Sequence, residues 1–462
     1  MEIKPLYFED RPSFRGLMRN WNSLALTTRR LLSARFWRSI SQGALVVDLA
    51  LFLHALDWRG AAIGLVLSAA GIAGAALNIL VGVFSDRSSR KPFLIAYEVL
   101  SCACALLAML SSDPVLLCVA IILAGFGRGA NGAAGPFAPA EQAWLAETVA
   151  PERRGVVYSL NTAIGFFGMT LGALAAVLPR LLRPYLGQAG SFRPLFGLVL
   201  LGNAVNLLLL ATAPEFRPRQ PVWPATAPSV GAPTRERRFL WHLMGLNAFN
   251  GLAIGLTGPL ISYWFARRFL IGPLVIGPIL ALSFLITGLA ALMVGRLTQR
   301  AGLVRSVVWG RSGGLILLLI LPFMPVYGLA SLVYILRTAL NRGTTGARQA
   351  LVISAVREER RGFAASLNAL SMQLPQSLGP AAAGALIGAG WFVMPFLIAA
   401  GLQGVYVLLY QRVFAPLERE CADLLRIRTG RVAPMAAQGV ETVKDHRGAE
   451  EPGQRTQRAD RI

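Results

Sequence analysis

Acidic residues are scarce in this chain. Its 462 residues include 23 Asp and Glu against 45 Lys and Arg, and only 15% are charged in all. A soluble domain carries about a quarter, so a water-soluble globular protein is excluded at the outset. Histidine is rarer still, at three residues, and cysteine stops at four: Cys102, Cys104, Cys118 and Cys421. Neither set has the spacing of a zinc site or a disulfide framework, and the thiols read as small apolar fillers. No glycine-rich phosphate loop followed by Lys and Ser/Thr occurs, so ATP coupling within this chain is not expected. With no His or Cys constellation and only isolated acids at depth, a membrane enzyme has little support and no cofactor is expected. The formal net charge of +22 punctuates apolar segments instead of gathering on one soluble face, which argues against nucleic acid as a partner.

What the chain has in quantity is oil. Hydrophobic residues make up 55% of it and the mean hydropathy is +0.54. A spanning helix needs about 20 mostly apolar residues. Apolar runs bounded by charge, Pro or Gly predict helices over 36–56, 60–84, 92–111, 115–146, 155–179 and 194–213, then over 239–266, 274–298, 303–324, 326–353, 362–388 and 391–413. The expected fold class is therefore an all-α membrane protein of twelve transmembrane helices. Residues 1–35 form an N-terminal segment, 36–213 and 239–413 two six-helix bundles, and 214–238 a Pro- and Arg-rich linker without helical period. Residues 414–462 form a polar tail, expected to be disordered from about 431. The first 35 residues carry charges throughout and lack a compact apolar core, so no removable signal peptide is expected.

Loop charge tests the span order. If the N-terminus is cytoplasmic, that side receives 34 Lys and Arg and the other side six, with five more (Arg128, Arg311, Arg337, Arg342, Arg348) inside spans. The positive-inside rule then puts both termini in the cytoplasm of a multi-pass protein of the inner (plasma) membrane, with the lipid bilayer as a partner.

The two halves also echo one another. VAPERRGVVYSLN (Val149 to Asn161) and VREERRGFAASLN (Val356 to Asn368) share ERRG and SLN in register at an offset of 207. GVFSDRSSRKP (Gly82 to Pro92) and GRLTQRAGLVR (Gly295 to Arg305) are related more weakly at an offset of 213. Both echoes fall between corresponding spans, which makes the bundles a parallel repeat about an axis along the membrane normal. Such repeats place a binding site near the midplane at their interface.

The loop between spans two and three, with Gly82, Asp86, Arg87, Arg90 and Lys91, resembles the signature loop of the major facilitator superfamily. A second match lies in span four, where Arg128, Gly132 and Gly135 in GRGANGAAG are similar to the family's span-four motif, with Glu147 nineteen residues after that Arg. The resemblance covers about 36–413 and implies a secondary carrier that works by alternating access on a small-molecule substrate, coupled to a proton or other ion and expected to be a monomer. It also implies that Asp86 faces the start of span eleven near Gly362 and that Arg90 pairs with Glu147, forming a latch for the outward-open state. The alternative is that Arg87, Arg90 and Lys91 only hold the loop inside. The second half has Gln299 where the first has Asp86, so no equivalent latch is expected there. Drug-efflux antiporters of the family commonly carry a Gly-Pro pair in span five, which here reads GFFGMTLG, so that substrate class is a secondary alternative.

The family lines its cavity with spans one, four, seven and ten, which would bring together Asp48, Arg128 and Arg337. Ionisable groups at span depth are costly and face a cavity or a partner. Asp48 is expected to be either a proton-coupling site or a permanent ion pair with Arg128. Arg128 and Arg337 read as a fork for an anionic group or as donors to carbonyls of kinked helices. Glu98 reads as a proton carrier or as the partner of a neighbouring basic residue. Span seven adds Asn247, Asn250 and Tyr263, and span eleven adds Gln373; these either line the cavity or bond neighbouring helices. More basic than acidic side chains fall in the cavity helices, which leans the substrate toward an anionic or amphipathic organic compound. A non-transporting receptor or scaffold that kept the fold is the rival reading.

Overall fold

In the computed structural model the described residues are 21, 24–85, 90–127, 141, 144–145, 148–149, 154–214, 234–301, 303–345, 348 and 361–428. They form helices and connecting turns. The first half contains α1 (Leu26–Ala55), α2 (Gly60–Ser85), α3 (Arg90–Leu110), α4 (Pro114–Ala124), α5 (Arg154–Leu174), α6 (Leu178–Gly190) and α7 (Arg193–Thr212). The second contains α8 (Thr234–Thr257), α9 (Ile261–Phe269), α10 (Pro273–Ala301), α11 (Leu303–Ile320), α12 (Tyr327–Gly343), α13 (Arg361–Gly388) and α14 (Met394–Arg428). Residues 1–415 make up one compact unit and 416–462 another.

Among the described residues, nine helices are long and apolar enough to cross a membrane, covering spans one to three, five to nine and twelve. Spans four, ten and eleven correspond to α4, α12 and α13. The outer face is that of a lipid-immersed protein: Leu65, Leu110, Val115, Trp309 and Leu408 are all more than half exposed. Helices can present such a face because every backbone polar group is satisfied within the segment.

Besides α8 starting at Thr234, inside the expected linker, and α14 running on to Arg428, into the expected tail, four boundaries differ from the sequence expectation for a local reason. The first span begins at Leu26, ten residues early, because Leu31, Leu32 and Ala34 bury an apolar face that continues the helix through its basic stretch. Span four starts as expected, with the Asp113 carboxylate accepting from the N–H groups of Val115 and Leu116 at 2.9 Å and Pro114 in the first turn. The helix α4 ends at Ala124, where Gly125 (φ 67°) and Gly127 (φ 78°) take left-handed conformations, and 128–140 of the expected span lie outside the described residues. Span five continues through a 3-10 turn at 175–177 into α6, so Arg180 and Arg183 ride on a helix and not on a loop. Span seven is broken between α8 and α9 at Gly258 and Pro259.

Small residues set the spacing of the bundle. A side chain on Gly168 would meet the carbonyl of Phe36, and one on Gly172 would meet the carbonyl of Ile40, so α5 and α1 touch backbone to backbone. The halves meet along a second such seam. Gly60 and Gly64 of α2 lie on Gly384 and Pro380 of α13, Gly71 lies on Ser377, the Ser68 hydroxyl accepts from Ala381 N–H at 2.9 Å, and Asn78 donates to Gln373 at 2.6 Å. From Gly60 to Asn78 is roughly 27 Å at 1.5 Å per residue, so this contact runs most of the bilayer's depth. At the end of the bundle where α1 finishes and α2 begins, His54 packs edge-on to Tyr263 at 5.4 Å and closes the halves against each other.

Candidate functional site

Polar side chains inside the bundle gather in two clusters, one per half. In the first, Arg38 of α1 donates to Glu98 of α3 at 2.8 Å and also to Glu141. All three are buried, and Arg35, one turn earlier on α1 and fully buried, lies within electrostatic reach of Glu141. Buried Asn206 of α7 sits beside Glu98. Two cations and two carboxylates thus share one water-poor site, where each charge is offset by another. Glu98, a sequence candidate for proton carriage, is held here in an ion pair.

Asp48 is placed differently. It lies 1% exposed in a pocket lined by Leu45, Leu49, Phe52, Phe192, Leu195 and Phe196, and neither carboxylate oxygen has a hydrogen-bond partner among the described residues. The turn that leads to Arg128 passes close by, since a side chain on Gly127 would meet Leu49. Arg128 itself lies outside the described residues, as do Asp86, Arg87 and Glu147; of the remaining latch residues, Lys91 donates to the carbonyls of Ala211 at 2.7 Å and Ala213 at 2.9 Å. Those contacts place its charge on the C-terminal carbonyls of α7, where a cation is favoured.

Among the described residues the cluster in the second half carries only cations. Arg311 of α11 donates to the Asn250 carbonyl oxygen at 2.9 Å, and Arg348 donates to that of Asn247 at 3.1 Å. Both guanidinium carbons lie over the Tyr406 ring, at 5.6 and 5.7 Å from its centroid. Gln403 donates to the Arg311 carbonyl at 3.2 Å and to Asn341 at 3.1 Å, fixing α14 to α11 and α12. Arg337 donates to Thr257 at 3.1 Å, and Arg342 lies 5.7 Å over Phe284. Among the described residues the two ion pairs of Arg38 are the salt bridges present, so none of these four arginines faces a carboxylate there.

Asp48 and Arg337, expected to meet, are therefore in separate surroundings. Asn247 also donates to Asn368 at 2.9 Å and Ser371 at 2.9 Å of α13, and Asn250 contacts Met372 at 3.4 Å. Tyr263 packs at the closed end of the bundle, and Gln373 bridges to Asn78 across the seam. Sequence reasoning counted Arg38 as a loop charge and passed over Glu141, Arg311 and Tyr406 as site residues. The repeat held the missing signal: the offset of 213 carries Glu98 onto Arg311, and that of 207 carries Glu141 onto Arg348. Among the described residues no group of three or more His, Cys, Asp or Glu could hold a metal ion.

Comparison with known proteins adds three findings. A family model described as Major Facilitator Superfamily matches residues 31–245 and 243–423. Monosaccharide-sensing protein 1 of Arabidopsis thaliana is 28% identical over 182 residues, which is 39% of this chain; the match spans 22% of that relative's length. Among solved structures, the nucleoside transporter NupG superposes with a TM-score of 0.61 at 15% identity, over 84% of this chain and 99% of that one. A bacterial homologue of the human lysosomal transporter Spinster, in an inward-facing and occupied conformation, gives 0.65 at 14% identity, over 85% and 96%. At such identities the two structures establish a shared fold.

Proposed function

Because the chain belongs to the Major Facilitator Superfamily, and so is a multi-pass membrane transporter and not an enzyme, we propose that it moves a small anionic or amphipathic organic solute by proton-coupled alternating access. The two bundles rock about their shared seam, and the contacts of Gly60, Gly64 and Tyr263 close the end where α1 finishes and α2 begins. The 34-to-6 charge bias supports a plasma-membrane orientation with both termini in the cytoplasm, and in that orientation this conformation is closed to the outside. Asp86, Arg90 and Glu147 latch the opposite state.

The observation that carries the coupling is the Asp48 carboxyl, buried among apolar and aromatic side chains at span depth with both oxygens unpartnered among the described residues. A carboxylate without a partner in such surroundings is costly. A proton taken up on one side of the membrane and released on the other removes that cost in one half of the cycle. Arg337, Asn247, Asn250 and Gln373 border the route of the solute between α8, α12 and α13.

Purified protein in liposomes tests this reading. Counterflow of a labelled organic anion, with acidification of the lumen when substrate is driven inward, is the expected result. Flux that ignores an imposed pH gradient would remove the proton. Absence of flux for anions, nucleosides and sugars alike would favour a non-transporting sensor, the reading suggested by the name of the plant relative.

A further inference from the structure

We propose that Arg311, Arg348 and Tyr406 form a binding site for a small soluble oxyanion, a carboxylate or phosphate group, inside the second bundle. The inference deepens the carrier reading and rests on it, naming residues and ligand chemistry for the anionic substrate. It begins with the repeat. The offsets that carry Glu98 onto Arg311 and Glu141 onto Arg348 also carry Arg38 into 245–251, the stretch that holds Asn247 and Asn250. The two clusters are therefore the same place in the two halves, with the charges exchanged. Where the first half sets two carboxylates around an arginine, the second sets two arginines around neutral amides.

The first arrangement is complete, whereas among the described residues the second lacks its negative member. Between Phe239 and Ala415 the chain has only two acids, Glu358 and Glu359, both in the connection between α12 and α13. No span of the second half can supply a carboxylate. Arg311 is 3% and Arg348 8% exposed, so both charges are shielded from bulk water. An uncompensated pair of buried cations is costly, and amide oxygens offset only part of that cost.

The donors that remain unused point to an oxyanion. Arg311 Nε and the Tyr406 hydroxyl are both buried and have no hydrogen-bond partner among the described residues, although Arg311 lies over the Tyr406 ring. Arg348 lies over the same ring and within electrostatic reach of Arg311, so both forks border the Tyr406 phenol. Planar guanidinium groups suit the paired oxygens of carboxylate and phosphate. Asn247 and Asn250 hold the forks in place from α8, the helix that precedes the break at Gly258. An anion bound here ties α8, α11, α14 and Arg348, which follows α12, together.

The test is thermal unfolding of the purified full chain in neutral detergent with sodium phosphate or sodium succinate, against sodium chloride at equal ionic strength. Wild-type protein is expected to gain about 2–5 °C, rising with the logarithm of anion concentration. Arg311→Gln and Arg348→Gln are expected to lose that gain, whereas Glu358→Gln/Glu359→Gln keeps it. Should the Gln variants fail to fold, Arg348→Lys retains the charge without the fork and is expected to weaken the response at least threefold in midpoint concentration. No gain in wild type, an equal gain in Arg311→Gln/Arg348→Gln, or a gain only with phosphatidylglycerol would overturn the proposal. So would a gain that appears only once Glu358 and Glu359 are neutralised, since those acids would then be the natural occupants. Counterflow in liposomes is run alongside. Flux without anion stabilisation overturns the site and leaves the carrier standing, while stabilisation without flux supports the site and removes the carrier.

Discussion

Replacing Arg38 by Met tests whether the first cluster is held together by charge balance. Arg38 is the cation between Glu98 and Glu141, and Arg35 is the second cation nearby. The native cluster is therefore neutral as a whole. Arg38→Met keeps most of the packing volume and leaves two buried carboxylates facing one arginine. Removing one partner of a buried pair costs about 3–5 kcal/mol. At 1.4 kcal/mol per factor of ten, the folding equilibrium falls between roughly a hundredfold and a few thousandfold. Equilibrium unfolding in SDS–detergent mixtures, followed by tryptophan fluorescence, measures this directly.

A second substitution separates charge from shape. Arg38→Met/Glu98→Gln removes a cation and an anion together, leaving Arg35 with Glu141. Neutral replacements of buried pairs are often tolerated, so the double variant is expected to recover at least half of the lost stability. An Arg38→Met protein as stable as wild type would refute the reasoning. So would a double variant less stable than the single one, because packing of the arginine stem and not charge would then be the cause.

Three further outcomes follow from the same geometry. Asp48→Asn is expected to abolish pH-driven accumulation in liposomes while leaving substrate exchange at a measurable fraction of wild type; unchanged accumulation would take Asp48 out of the coupling. Gly64→Leu puts a side chain onto the Pro380 carbonyl across the seam, an overpacking of about 1–3 kcal/mol. It should raise the labelling of cysteines placed at the closed end severalfold, and unchanged labelling would mean that the seam does not hold that end shut. Asp86→Asn is expected to shift cysteine labelling toward the inward-open pattern, and an unaltered pattern would reduce the signature loop to a topology device.

The fold was legible because a bilayer leaves few choices. Once twelve apolar stretches alternate with loops of opposite basic content, helical spans and their order follow from hydropathy and charge. What hydropathy missed were events inside apolar sequence. The end of α4 at Gly125 and the break between α8 and α9 depend on single glycines and a proline, which a window of twenty residues averages away. The early start of α1 was hidden for the opposite reason, since Arg35 and Arg38 read as loop charges until Glu98 and Glu141 are seen beside them. Glu98 and Glu141 lie 60 and 103 residues from Arg38, and no local pattern announces a pairing over such distances.

The repeat does announce it, because corresponding positions in two related halves share surroundings even where they have exchanged charge. The exchange of charge can be reversed by substitution. Asn250 already accepts from Arg311 at 2.9 Å, and its own amide group donates only to the Met372 sulfur at 3.4 Å, a weak acceptor. Asn250→Asp therefore sacrifices little and makes the bond to Arg311 charge-assisted, roughly twice as strong as the neutral one. It supplies from α8 the carboxylate that no span of the second half contains. Asn247 would serve less well, since its amide also donates to Asn368 and Ser371, bonds an aspartate cannot make. In chloride buffer Asn250→Asp is expected to melt several degrees above wild type, and phosphate or succinate should add little further, because the locus is already neutralised. A variant that melts below wild type, or one that keeps the full anion response, would mean that Arg311 and Arg348 are balanced by something other than a bound anion.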